Sequence, residues 1–114
     1  MIRIYHNNRC SKSRETLSLL QSKTSEIQII EYVKNPIKFE DVKLIIEKLK
    51  IKPIQLIRKN EKIWKTLYKK KHMKDKEIIE AIVIHPKLMQ RPIVITNKKA
   101  IIGRPPENVL DLFD

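Results

Sequence analysis

Between Ile2 and Val33 the apolar residues change their period twice, and the order of those changes constrains the fold more than anything else in the chain. Ile2 and Ile4 alternate with Arg3 and Tyr5, the period of two of a strand, and the polar run His6-Asn7-Asn8-Arg9 ends it. From Cys10 the pattern turns helical: Ser11 and Ser13 offer N-cap oxygens, and Leu17, Leu19 and Leu20 form an apolar stripe up to about Ser22. Ile27, Ile29, Ile30, Tyr32 and Val33 read as a second, largely buried strand. A helix between two such strands makes a βαβ unit, expected to be parallel and right-handed.

Asn35-Pro36 breaks the chain, and Val42, Ile45, Ile46 and Leu49 then fall at the i, i+3, i+4, i+7 spacing of an amphipathic helix. Pro53 suits the first position of a short helix carrying Ile54 and Ile57, and Ile63, Trp64 and Leu67 suggest a further turn or two. After the basic stretch Lys69-Lys70-Lys71-His72, read as a solvated face, Asp75 can cap a helix with Ile78, Ile79 and Ile82 inside, stopped by Pro86 after His85. Ile93-Val94-Ile95, the turn Asn97-Lys98-Lys99 and Ala100-Ile101-Ile102 form a hairpin, and Pro105-Pro106-Glu107 opens a last helix with Val109, Leu110, Leu112 and Phe113. The expected architecture is α/β in the thioredoxin order, βαβ then ββα, one domain over 1–114 with a helical insertion at about 38–85.

Composition removes several function classes. One glycine, Gly103, cannot build the Gly-rich phosphate loops of P-loop or Rossmann proteins. One cysteine, Cys10, cannot close a disulfide within the chain, no secretory leader pattern precedes it, and no apolar run approaches the roughly 18 residues that cross a bilayer. A cytoplasmic protein without a membrane partner is expected. The formal charge of +12 invites a nucleic-acid reading. However, the six aromatic residues are dispersed and offer no stacking platform. Of the 25 basic residues 19 are Lys, and Ile fills 20 positions against two Ala, a skew that looks like drift toward A/T-rich codons. Nucleic acid is therefore not an expected partner. The same skew makes each of the six Arg more informative, because a planar bidentate grip on an oxyanion is what Lys cannot supply.

Cys10 sits in a polar loop where a helix begins, with Arg9, Lys12 and Arg14 close in sequence. A helix N-terminus and nearby cations lower a thiol's pKa and make it a nucleophile. Cys10-Ser11-Lys12-Ser13 has no second thiol, so any reducing thiol must come from another molecule. His6, four residues earlier at the strand end, could favour the thiolate. His72 and His85 make no metal-ligand spacing with Cys10, and no metal is expected. Arg91 stands before Pro92 at the entry to the third strand, Arg104 follows the sole glycine, and Arg58 ends the Pro53 helix.

Four segments together resemble the glutaredoxin-dependent arsenate reductases: Tyr5 to Leu17 around Cys10, Leu56-Ile57-Arg58-Lys59, His85 to Val94 with Gln90-Arg91-Pro92, and Gly103-Arg104-Pro105-Pro106-Glu107. The match runs from Ile2 to Phe113. It implies that Cys10 attacks arsenate, that Arg58, Arg91 and Arg104 hold the oxyanion, and that His6 assists thiolate formation. It also implies a monomer with no bound cofactor, using glutathione as co-substrate and glutaredoxin as partner. A proline in that loop is replaced here by Asn8, which should soften the loop. An alternative on the same fold is a regulator of the Spx type, which binds RNA polymerase and catalyses nothing.

Overall fold

The computed structural model of the chain describes residues 1–113, and in it four short strands form one sheet. β1 (Ile2–Tyr5) pairs in parallel with β2 (Ile27–Ile30), and α1 (Ser11–Lys23) connects them. β3 (Ile93–Ile95) runs antiparallel to β1 and to β4 (Ala100–Ile102), giving the order β2-β1-β3-β4. The chain divides into two compact units, Met1–Asn35 with the segment from Arg91 onward, and Pro36–Gln90.

In the first unit β1 and β3 lie inside the sheet, which is why Ile4, Val94 and Ile93 have no exposed surface. Ile4 and Val94 cluster with Leu20 of α1 and Val109. Each such side chain withdrawn from water contributes roughly 1.5–3 kcal/mol. β2 departs from the expected buried strand. It is an outer strand with a neighbour on one side only, so Ile29 is 45% exposed. Tyr32 is fully buried, yet it lies past the strand, in a turn where Lys34 and Asn35 both donate to the Glu31 carbonyl. The terminal segment Pro106–Phe113 winds as a 3-10 helix rather than an α-helix and packs on α1.

The second unit is helical: α2 (Phe39–Leu49), a 3-10 turn at Pro53–Leu56, a π turn at Trp64–Tyr68, α3 (Asp75–Ile84) and a 3-10 turn at Pro86–Leu88. Val42, Ile45 and Ile46 of α2 and Ile78, Ile79 and Ile82 of α3 are buried, as their spacing predicts. Asp75 is the first residue of α3 and not its cap. The cap position is Lys74, whose N–H donates to Glu77 Oε1 at 2.9 Å. Asp41 does the same for Lys38 at the start of α2, at 3.2 Å. The sequence therefore starts both helices with a carboxylate three residues in, next to the positive end of the helix dipole. Among the described residues no helix is long and apolar enough to cross a membrane.

Candidate active site

Cys10 is the residue on which α1 begins. Its backbone is extended, its N–H donates to the Asn7 carbonyl at 3.0 Å, and its carbonyl accepts from Arg14 N–H at 3.0 Å, the first bond of the helix. The thiol therefore stands over the free N–H groups of the first turn, where a negative charge is favoured. The Ser13 N–H is among the groups that lower the pKa of the sulfur.

Neither Ser11 nor Ser13 caps the helix as expected. Ser13 is fully buried and its hydroxyl serves the preceding loop, accepting from Asn7 N–H at 3.0 Å and meeting His6 Nδ1 at 2.6 Å. A hydroxyl in the first turn with loop donors arching over it is drawn to those donors, since buried polar groups must find partners. The loop is tied at further points: Asn7 Oδ1 accepts from Arg9 N–H at 3.0 Å, and the Asn8 carbonyl accepts from Arg14 Nη1 at 2.9 Å. Asn8 thus sits in a loop fastened by side chains on both flanks.

Two arginines of this unit, Arg91 and Arg104, reach the thiol by different routes. Arg104 follows Gly103 at the end of β4 and places Nη2 3.6 Å from Cys10 Sγ, while its Nε donates to the Arg91 carbonyl at 2.7 Å. Arg91 faces the same sulfur and helps to lower its pKa, and its Nε is buried with no hydrogen-bond partner among the described residues. The Arg91–Pro92 bond is cis, as is Arg104–Pro105. Gly103 is required by close approach: a Cβ there would lie 2.6 Å from Thr16 Oγ1 and 2.9 Å from Pro92 Cγ. Thr16 Oγ1 donates to the Gly103 carbonyl at 3.2 Å, and Gly103 N–H donates to the Pro92 carbonyl at 2.9 Å. These bonds hold the two arginine-bearing turns against α1.

Burial alone would raise the Cys10 pKa, but the Ser13 N–H, the guanidinium donors and charge of Arg91 and the charge of Arg104 outweigh it, leaving the thiol below its ordinary value. His6 is shifted the other way from what a cationic helper needs. Burial lowers its pKa against the opposing pull of Glu31 and the Asn8 side chain, with Arg14 adding to the lowering. Burial therefore favours the uncharged imidazole, whose Nδ1 meets the Ser13 hydroxyl. Iodoacetamide alkylation of Cys10 should therefore reach half its maximal rate at a pH below that of free cysteine. Arg104→Ala should move that midpoint upward, and Arg14→Ala should leave it in place. A profile unmoved by Arg104→Ala would remove the charge argument.

Arg58 lies in the helical unit, half-buried, with its N–H donating to the Leu88 carbonyl at 2.7 Å beside the bridge between Ile57 and Met89. Ser13, Thr16 and Gly103 tie the loop and turns around the thiol together, contacts that pattern reading did not anticipate. The signal for the last two was available in kind, a polar residue on the inner stripe of α1 and the chain's sole glycine. Among the described residues no group of three or more His, Cys, Asp or Glu is placed to hold a metal ion.

The ArsC family model matches residues 5–112. The chain is 42% identical to the uncharacterised protein YfgD of Escherichia coli, with 97% of this chain and 95% of that one covered. It is 40% identical to an arsenate reductase of Haemophilus influenzae, with 96% and 97% covered. Among solved structures it is similar to an arsenate reductase from Vibrio cholerae, with a TM-score of 0.91, 38% identity, and 96% of this chain and 95% of that chain covered.

Proposed function

The chain belongs to the ArsC family, with a thioredoxin-like fold, and on that premise we propose that it reduces arsenate to arsenite through a covalent intermediate on Cys10. One observation carries the proposal. A thiol with a lowered pKa stands at a helix N-terminus between two arginines, one of which keeps a buried N–H without a partner. A buried donor left unpaired costs about 1–3 kcal/mol, and a tetrahedral oxyanion beside the sulfur would accept from it. Two arginines facing the thiol serve an enzyme that binds an oxyanion and do nothing for a regulator that binds RNA polymerase.

In the proposed reaction the Cys10 thiolate displaces a hydroxyl from arsenic(V), forming a sulfur–arsenic bond and releasing water once that oxygen is protonated. Arg91, Arg104 and the N–H groups of the first turn of α1 neutralise the charge that develops. The family resemblance adds Arg58, whose part rests on the sequence match alone. Glutathione then replaces a second oxygen, and glutaredoxin attacks the glutathione sulfur. The arsenic–glutathione sulfur bond breaks, its electron pair stays on arsenic, which becomes arsenic(III), the glutathione sulfur leaves as a mixed disulfide with glutaredoxin, and hydrolysis releases arsenite and restores the thiolate. The chain's one thiol supports an external reductant, because no second cysteine exists to resolve the adduct. A cytoplasmic monomer fits this chemistry, since a lone thiol stays reduced there.

The experiment is arsenate-dependent NADPH oxidation with glutathione, glutathione reductase and glutaredoxin. Turnover should need glutathione and glutaredoxin together. Equal turnover with thioredoxin and thioredoxin reductase instead would overturn the electron route, and no arsenate-dependent oxidation with either system would overturn the activity.

A further inference from the structure

Residues 36–90 make up about half of the chain and hold 14 of its 19 Lys, with fifteen Lys+Arg against seven Asp+Glu. A compositional drift toward Lys would spread evenly, and this excess does not. It surrounds a cleft of about 710 Å³ that lies wholly within the helical unit, lined by five lysines and floored by Trp64 and Ile78, with Asp75 as the one carboxylate. That volume is in the range of ligand sites, roughly 300–1,000 Å³.

Trp64 is held there by the π turn, in which Lys69 N–H donates to the Trp64 carbonyl at 2.9 Å and the indole stacks on Tyr68 with ring centroids 5.6 Å apart. Such turns are rare and cluster at functional sites. Lys59, Lys65 and Lys69 are exposed and make no ion pair among the described residues. Among the described residues their only carboxylate neighbour in the lining is Asp75.

The lining selects its occupant. Lysine ammoniums are point charges without the planar fork that selects phosphate groups. Trp64 is only 7% exposed, so it offers an apolar floor and no open face for stacking a nucleobase. An apolar floor ringed by ammoniums fits an apolar side chain flanked by carboxylates. We infer that this cleft docks an acidic segment of a partner protein, whose apolar residue rests on Trp64 and Ile78 while its carboxylates meet Lys59, Lys65 and Lys69. The complementary charges would speed encounter as well as hold the complex.

Trp64 is the chain's only tryptophan and reports directly on the cleft. The test titrates the full-length protein with a heptapeptide of Asp and Glu around a central Leu-Phe pair, following Trp64 emission. A saturable change is expected, with affinity falling about tenfold in K65E/K69E and less than about twofold in K98E/K99E, which makes the same charge change on the hairpin turn. Equal losses in the two double variants would reduce the effect to net charge and overturn the site. No saturable binding would overturn it too, as would tighter binding of a single-stranded oligodeoxynucleotide of equal charge. Cys10→Ser should bind the peptide unchanged, so the cleft and the arsenate chemistry stand or fall separately.

Discussion

Cys10→Ser should abolish arsenate-dependent turnover, with a fall of about 10⁴-fold or more, the scale on which enzymes lose activity when a covalent nucleophile is removed. The physical reason lies in the acid strengths of the two groups. Against the burial that raises it, the helix N-terminus, Arg91 and Arg104 hold the thiol's pKa below its ordinary value, whereas an alcohol starts so much higher that the same donors leave it protonated. The chain has no second cysteine to substitute. The variant should keep its fold, because the bonds that anchor this residue, to Asn7 and Arg14, are made by its backbone. Measured turnover above about one per cent of the parent rate, in protein with unchanged Trp64 emission, would sink the covalent mechanism.

The parts of this site that could be read from sequence are those in which local pattern and chemistry coincide. A period-two run, a polar loop and a period-3.6 run locate Cys10 at a helix start with no tertiary information, because the two periods are backbone properties. The hairpin follows in the same way from two β-branched runs around Asn97-Lys98-Lys99. What failed was everything decided by distant neighbours. β2 reads as buried because it is rich in isoleucine, but burial depends on its place at the sheet edge, which composition does not encode. Ser13 reads as a helix cap from its position. Its partners are instead set by how the His6 to Asn8 loop folds back over α1. Gly103 shows the same limit: its isolation in the sequence flags it, but only the approach of Thr16 and Pro92 explains why a methyl group would not fit. The lysine excess is the opposite case, where composition offered a sufficient account until the fold gathered five of the lysines around one cleft.

Arg91→Lys separates the two tasks of the arginine beside the thiol. The substitution keeps the positive charge and removes the planar fork, so it should move the pH midpoint of Cys10 alkylation upward by less than Arg91→Ala does, since a cation still faces the sulfur. Turnover should nevertheless fall by about 10²-fold, the usual loss when one donor to a developing oxyanion is removed. The buried Arg91 Nε is the donor with no partner of its own, and lysine carries a methylene, which donates nothing, at that position. Arg91→Ala would remove charge and fork together, raising the alkylation midpoint and lowering turnover further. The comparison is decisive because the two readouts respond to different physics: alkylation senses the field at the sulfur, and arsenate turnover senses the geometry of donors around the oxyanion. If Arg91→Lys turned over arsenate like the parent, charge alone would suffice and the oxyanion clamp would have to be abandoned. If it instead shifted the alkylation midpoint as far as Arg91→Ala, the fork would be acting on the thiol itself, and the unpaired Nε would have no part in holding substrate.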